Sequence, residues 1–513
     1  MKTIFSCNHK QIGTNYLVFA IIAGIIGVLL SVVMRLELNE PGIQYFHGLA
    51  SLLYGYEGIS AVEKGREMFT LFSSAHALIM IFFMVVPALF GGFANWLLPM
   101  MIGCENMLFP RLNRFAFLLL FPAMALLVGS LLWVSSAQTA CLLMIAMIHL
   151  AALSAILTAA NFIATILVAR APGMGFKYLP IFVWSVLVSS FLMIICMPTM
   201  TAALSSLLYH FGFDNFSMHA VDGKNLQVML WFYSHPEIFV LILPAFGIIS
   251  EVVATFANRP LVGRSYVVSA MVFIGAAGFL IWAQNLFSAA NLGDMKGYFF
   301  VALPIIAIPA FVIIGSWLAT IVSGHIQYKT PMLWALGFIL MFVIGSFSAI
   351  HLALNSPVSN GNPAFVSHFH YILSLGAVFA IFAAWYFWFP KISGYELREL
   401  TGKLHFSIMF IAVNMIFLPQ HFQGFEYVNG SVALWIENNI GWNKIITLGA
   451  MIGALSLVVF LYGICEAFWR KIAVASNPWG EGATTLEWSL PSPAPIVQWQ
   501  AIPVFDKKKA ASF

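Results

Sequence analysis

The run Ser367-His368-Phe369-His370-Tyr371 places two histidines two positions apart inside an apolar stretch from Phe365 to about Trp388. On a helix, positions i and i+2 lie about 200° apart, so the two imidazoles leave on opposite faces. One helix can then hold two different ligands, one on each side. An imidazole in hydrocarbon is costly unless a metal, a cofactor or a polar partner satisfies it. The plainer alternative is a pair of core histidines bonded to neighbouring carbonyls. Eight histidines fall within or at the ends of apolar runs: His76, His149, His235, His351, His368, His370, His405 and His421. That number is hard to absorb in lipid without a function for some of them.

The elements that must position these side chains are long and apolar. Of 513 residues, 61% are hydrophobic and 8% charged, and the mean hydropathy is +0.93. Soluble domains carry about 25% charge, so the chain is expected to be an all-α polytopic membrane protein. Apolar runs of roughly 20 residues, enough to cross a bilayer, recur near 14–34, 73–101, 115–136, 141–169, 178–208 and 228–257. They continue near 265–290, 297–322, 331–356, 365–389, 405–425 and 444–469. This predicts about twelve transmembrane helices, and a barrel is excluded because the runs do not alternate. No repeat or soluble domain interrupts them, so residues 1–513 read as a single membrane domain. The longest polar insert, from Arg35 to about Phe72, is expected on the outer side. A Pro- and Trp-rich tail, 472–513, is expected to be a solvated connection.

Six basic residues (Arg35, Lys64, Arg66, Lys224, Lys296 and Lys444) fall in one set of loops, and the other seventeen of the 23 in the opposite set. The positive-inside rule then puts both termini in the cytoplasm or a mitochondrial matrix. The net charge of +4 reflects that bias and gives no reason to expect nucleic acid as a partner; membrane lipid is one. A polar N-terminus followed by a long first span argues against a cleaved signal peptide. The five cysteines are scattered, with no Cys-x-x-Cys-His site for covalent haem and no close pair for a thiolate copper centre. Redox work here would use histidine-held cofactors, with electrons supplied from outside the chain.

Several segments carry a resemblance: His76-Ala77-Leu78-Ile79-Met80 through Gly91-Gly92-Phe93-Ala94-Asn95-Trp96, Arg170-Ala171-Pro172-Gly173-Met174, Trp231 to Glu237, Ser316 to Thr320, and His368 to Tyr371. Together they are similar to subunit I of the haem–copper oxidases, in particular the A-type cytochrome c oxidases, over about residues 8–425. The resemblance implies that His76 and His370 are the axial ligands of a low-spin haem. Two imidazoles close both positions of an iron and leave it to electron transfer. Arg35 corresponds to the arginine that bonds a substituent of that haem. His368 corresponds to the single axial ligand of a second, high-spin haem, and Tyr371 counts among the cofactor-binding residues. A subunit II-like electron donor, fed by cytochrome c, and subunit III-like chains are the implied partners. The implied location is a bacterial inner membrane or the mitochondrial inner membrane.

The chain departs from that pattern at the second metal. His235 matches the first of three copper-ligating histidines, but the expected histidine pair is Gln284-Asn285 in Trp282-Ala283-Gln284-Asn285. Neutral amides are poor copper ligands. Phe239 stands where the family has a redox-active tyrosine, and a phenyl ring has no phenolic hydrogen to give. Asn106 replaces the aspartate at one proton-channel mouth, and Ile313 and Ala310 replace a lysine and a threonine of the second channel. Asn360-Gly361 stands for a His-Asp magnesium pair, leaving magnesium doubtful as well as copper. The propionate-gripping arginines are absent from Gly424-Phe425-Glu426-Tyr427. Glu237, the family's intramembrane proton shuttle, remains, either as a shuttle or as a relic.

Three readings follow. The first is a haem-bearing oxidase-type subunit in which copper-dependent O2 reduction and proton pumping are impaired or lost. The second is a working terminal oxidase or NO reductase, with a harder metal such as iron held by His235 and Glu237, Gln284 or Asn285. The third is a structural or assembly subunit without redox function. The type of haem (a, b or o) is left open, since the same imidazoles serve all.

Overall fold

A computed structural model describes residues 4–40, 42–132, 137–211, 223–287, 295–355, 363–425, 440–499 and 503. Within the helices only the backbone is described at 132, 137, 207, 210–211, 223–238, 281–287, 295–304, 351–355, 363–365, 373–375 and 423–425. The helices are α1 (His9–Glu37), α2 (Tyr45–Tyr54), α3 (Gly58–Leu78), α4 (Asn95–Met101), α5 (Pro110–Leu118), α6 (Leu120–Leu132), α7 (Ala137–Val168) and α8 (Ile181–Phe211). The chain continues through α9 (Gly223–Phe256), α10 (Arg264–Phe287), α11 (Met295–Ser323), α12 (Thr330–Asn355), α13 (Pro363–Phe369), α14 (Leu375–Ser393), α15 (Glu399–Phe425) and α16 (Ile440–Arg470). Wide π-helical turns at Ile79–Val85 and Pro87–Ala94 join α3 to α4, and another at His370–Ser374 joins α13 to α14.

Eleven helical stretches among the described residues are long and apolar enough to cross a membrane, and the apolar part of α10, Arg264–Leu280, is a shorter twelfth. The protein is an all-helical integral membrane protein, as the apolar runs predict. Three of the stretches form its centre. Between 72 and 89% of the apolar windows of Gly58–Met101, Phe239–Phe256 and Val366–Ser393 is buried, against 28–33% for α1, α15 and α16. The outer helices therefore show lipid-suited residues outward, and the inner three carry the residues that line sites. Close packing between α1 and the second span depends on Gly91-Gly92. A Cβ at Gly91 would lie 2.2 Å from the Tyr16 ring, and one at Gly92 2.4 Å from the Leu17 side chain.

Two regions differ from the sequence expectation. The insert from Arg35 to Phe72 is largely helical, a hairpin of α2 and α3. Glu37 sets its entry: its carboxylate accepts from the backbone N–H groups of Gln44 (2.5 Å), Tyr45 (2.9 Å) and Phe46 (3.0 Å), which caps the start of α2. Phe46, Ala50 and Met68 then close a small core of their own. Composition hid this, because polar residues on a helix outside the bilayer read like a loop.

The described part of the tail beyond Lys471, residues 472–499, is not a solvated connection. Residues 472–499 form a strap across one end of the bundle, with Glu487, Trp488 and Leu490 buried. Lys391 Nζ donates to the carbonyls of Ser476 (2.7 Å) and Leu490 (2.6 Å). Lys10 donates to the carbonyl of Pro495. Gln498 bridges His9 Nε2 (3.1 Å) and the carbonyl of Cys104. Strap carbonyls thus replace water for buried cations, which a reading by polarity does not anticipate. Glu487 accepts from Thr485 Oγ1 (2.7 Å) and Trp388 Nε1 (3.3 Å). Burial pushes its carboxyl up to about 7; nearby Glu251 adds to the rise and the two hydrogen bonds oppose it. Described loops rich in Lys and Arg converge at this end, as in Ala171 N–H to Ile102 O (2.8 Å) and Arg264 to Lys177 O (2.7 Å).

Candidate functional site

His76 sits in the last turn of α3, one turn before the first π-helical stretch. Its Nδ1 lies 2.8 Å from the carbonyl oxygen of Gly27 on α1. A carbonyl only accepts, so Nδ1 carries the proton and Nε2 keeps its lone pair. The second π-helical stretch opens on Pro87, which has no N–H to give to a regular ladder. π-Helical turns of this kind gather at functional sites.

His370 opens the third π-helical turn. Its Nδ1 donates to the carbonyl of Val366 (2.7 Å), and its ring stacks on Phe417 of α15 at 4.3 Å between centroids and 19° between planes. Both His76 and Arg35 lie within electrostatic reach of it. His368 leaves toward α12 instead. Its Nδ1 donates to the carbonyl of Gly345 (3.0 Å) and to Ser348 Oγ (2.9 Å), while Ser348 Oγ donates to the same carbonyl (2.9 Å). The two imidazoles thus face different helices, α15 and α12, as their i, i+2 spacing requires. Tyr371 is fully buried and donates to Asn414 Oδ1 at 2.9 Å. His421 Nδ1 meets Ser367 Oγ (2.7 Å) and the carbonyl of Phe417 (3.2 Å).

His76, His368 and His370 share one arrangement: Nδ1 is fixed on a main-chain carbonyl, and Nε2 takes no hydrogen bond among the described residues. Metal-ligating histidines are held in this way, with the second nitrogen's partner setting tautomer and ring orientation. The alternative of core histidines bonded to carbonyls accounts for one nitrogen of each ring and leaves the other without a role. These residues fit a haem iron.

The second-metal positions divide. The side chains of His235, Glu237, Gln284 and Asn285 lie outside the described residues, as do Asn360-Gly361 and Glu426-Tyr427; only the helical backbone places the first four, on α9 and α10. Nearby positions are described. Phe239 is buried and its ring rests on Gly278 of α10, where a Cβ would come within 2.6 Å. Ile313 is fully buried and Ala310 nearly so. Among the described residues no cluster of three or more His, Cys, Asp or Glu side chains is arranged to hold a metal ion. One imidazole with two neutral amides does not fit a copper site. Asn106 accepts from the His9 N–H (3.2 Å) and donates to the Cys7 carbonyl (3.1 Å). Its amide thereby pins the N-terminus where the resemblance implies an acid.

The sequence profile of the family described as cytochrome c and quinol oxidase polypeptide I matches residues 11–452. The chain belongs to this family. It is also 38% identical to the cytochrome c oxidase subunit 1 of Cereibacter sphaeroides over 537 aligned positions, covering 98% of this chain and 95% of that protein. The match runs beyond the 8–425 expected from motifs and reaches into α16. The oxidase family assignment makes haem binding a family property of this chain and places it in a membrane complex with other subunits.

Sequence reasoning did not find Gly27, Gly345, Ser348, Phe417 or Asn414, which orient the site histidines and Tyr371. Gly27 is 49 residues from His76 and Gly345 is 23 from His368. A carbonyl acceptor leaves no trace in residue type. Ser348 and Asn414 do carry a signal, as polar side chains inside apolar runs, Ser348 about two turns from the end of α12.

Proposed function

We propose that this chain is a haem-bearing oxidase subunit I that has lost four-electron reduction of O2 at a copper centre, and with it proton pumping. His76 and His370 would ligate a low-spin haem, with Arg35 at its edge and Tyr371 in its wall, and His368 would ligate a second haem. When bound, the haems supply one-electron redox chemistry at iron. The protein's own part is to hold three neutral imidazoles with their Nε2 atoms turned to ligand, through the carbonyls of Gly27, Val366 and Gly345. That anchoring is the observation that carries the haem half of the reading.

The other half rests on the donor set. His235, Gln284 and Asn285 are too poor for copper, Phe239 cannot give a hydrogen atom, and buried Ile313 cannot carry a proton. Glu237 is left without a defined proton acceptor. Electrons would come from a subunit II-like partner served by cytochrome c, with subunit III-like chains beside it. The basic loops favour a bacterial or mitochondrial inner membrane, both termini and the 472–513 segment on the cytoplasmic or matrix side of a single membrane domain.

Iron and copper content per chain, measured on detergent-purified protein separated from any subunit II, tests this. Two irons and no copper are expected. One copper, or a third iron, would overturn the reading in favour of a working reductase with an unusual second site. Absence of any haem would favour a purely structural subunit.

A further inference from the structure

Asn443 begins the buried face of α16 and is 2% exposed, yet among the described residues neither its Oδ1 nor its Nδ2 meets a hydrogen-bond partner. A bare buried polar atom costs about 1–3 kcal/mol, so an amide orphaned at both ends points to a group that the described residues do not supply. Its place in the bundle indicates which. One turn further on, Thr447 Oγ1 lies 2.8 Å from the carbonyl of Asn443 and 3.0 Å from that of Arg35. This end of α16 is therefore pressed against the end of α1. Gly449 packs on Met415 and Ile416, Gly463 on Thr401, and Trp442 stacks on Phe422. These pairs make α15 and α16 antiparallel and set Asn443 level with His421, one turn beyond the Phe417 ring that carries His370. Arg35 reaches electrostatically to both His76 and His370. Asn443 thus stands beside the end of α1 that carries Arg35, and one turn of α15 from the ring on which His370 stacks.

We propose that Asn443 is a haem-contact residue, its Nδ2 donating to an acceptor oxygen on the rim of the low-spin haem, beside Arg35. This rests on the low-spin haem proposed above. Rim oxygens are of two kinds, a carboxylate or a carbonyl conjugated with the ring. Oδ1 is left to a water at the same edge.

The test is Asn443→Leu in the intact complex, read by the visible band of the reduced low-spin haem and by its reduction equilibrium. One lost hydrogen bond of about 1 kcal/mol is expected to move that equilibrium about fivefold. A band shift in addition would assign the oxygen to a conjugated carbonyl, and a change in equilibrium alone to a carboxylate. Band and equilibrium both unchanged at full haem content would overturn the proposal, leaving Asn443 a packing residue. Should Asn443→Leu fail to assemble, Asn443→Asp keeps the shape and replaces the donor by a carboxyl. It is expected to shift the same equilibrium, and no shift overturns the proposal equally. The unsubstituted complex is measured first. If it shows no bis-imidazole haem, the proposed function has failed, whereas a normal haem untouched by either variant sinks only the role of Asn443.

Discussion

The segment of His368 and His370 packs against α9 of the α9–α10 pair, but the two regions are equipped differently. Around the first, each ligand-type histidine is present and its second nitrogen is held: Val366 and Gly345 supply carbonyls, Ser348 a hydroxyl, and Phe417 a stacking face. Around the second, the positions that the resemblance assigns to three histidines hold one histidine and two amides, and the neighbouring ring of Phe239 is packed on Gly278 as core. A ligand sphere is kept together with the groups that orient it. On the proposed function, positions released from metal and proton chemistry would take side chains that pack well, and Phe239 and Ile313 are buried in that way.

The contrast can be broken most strongly at the histidines themselves. His76→Ala or His370→Ala should abolish the low-spin haem spectrum, because one imidazole remains where the iron needs two. Retention of that spectrum would mean that the anchored histidines are structural. Next in size is restoration of the other half. Gln284→His with Asn285→His should raise copper from none to about one per chain by elemental analysis, since three imidazoles suit copper. If copper stays absent, the loss lies deeper than the ligands.

A smaller effect is expected far from both halves, at the strap. Glu487 titrates near 7 in the folded chain because it is buried, while an unfolded glutamate titrates near 4.3. A raised carboxyl favours the folded state while protonated. Its contribution is full below the unfolded value and lost as pH rises through 7, up to about 4 kcal/mol in all. Thermal unfolding in detergent should therefore show Glu487→Gln less sensitive than the parent to a rise from pH 5.5 to 8. Equal slopes would place the titration elsewhere. The smallest change is Ser348→Ala. His368 keeps the Gly345 carbonyl, so its haem should stay but bind about tenfold more weakly, the lower end of the range for removing a partner of a metal ligand. A haem titration with no such weakening would show that the carbonyl suffices.

Much of the architecture was legible because a bilayer asks for long apolar helices, and twelve such runs announce themselves. The separation of His368 and His370 was legible from helical geometry, and the family from the segments around His76, Trp231 and His368. The α2–α3 hairpin was not, because Glu37 caps it across a gap in sequence and helices outside lipid lose their apolar signature. The strap was hidden for a related reason: Lys391 and Lys10 are satisfied by main-chain carbonyls, which every residue possesses. Asn443 was hidden too, since an amide near the start of an apolar run looks like an interfacial residue until its burial is known.

The strap also dictates an order of events. His9 and Gln498 touch across 489 positions, a contact that cannot form before the chain has been made as far as the strap. The first membrane helix therefore enters the bilayer early yet receives these neighbours only after the other described helices have been made. Until then the buried ends of His9 and Lys10 must be served by water or by another protein.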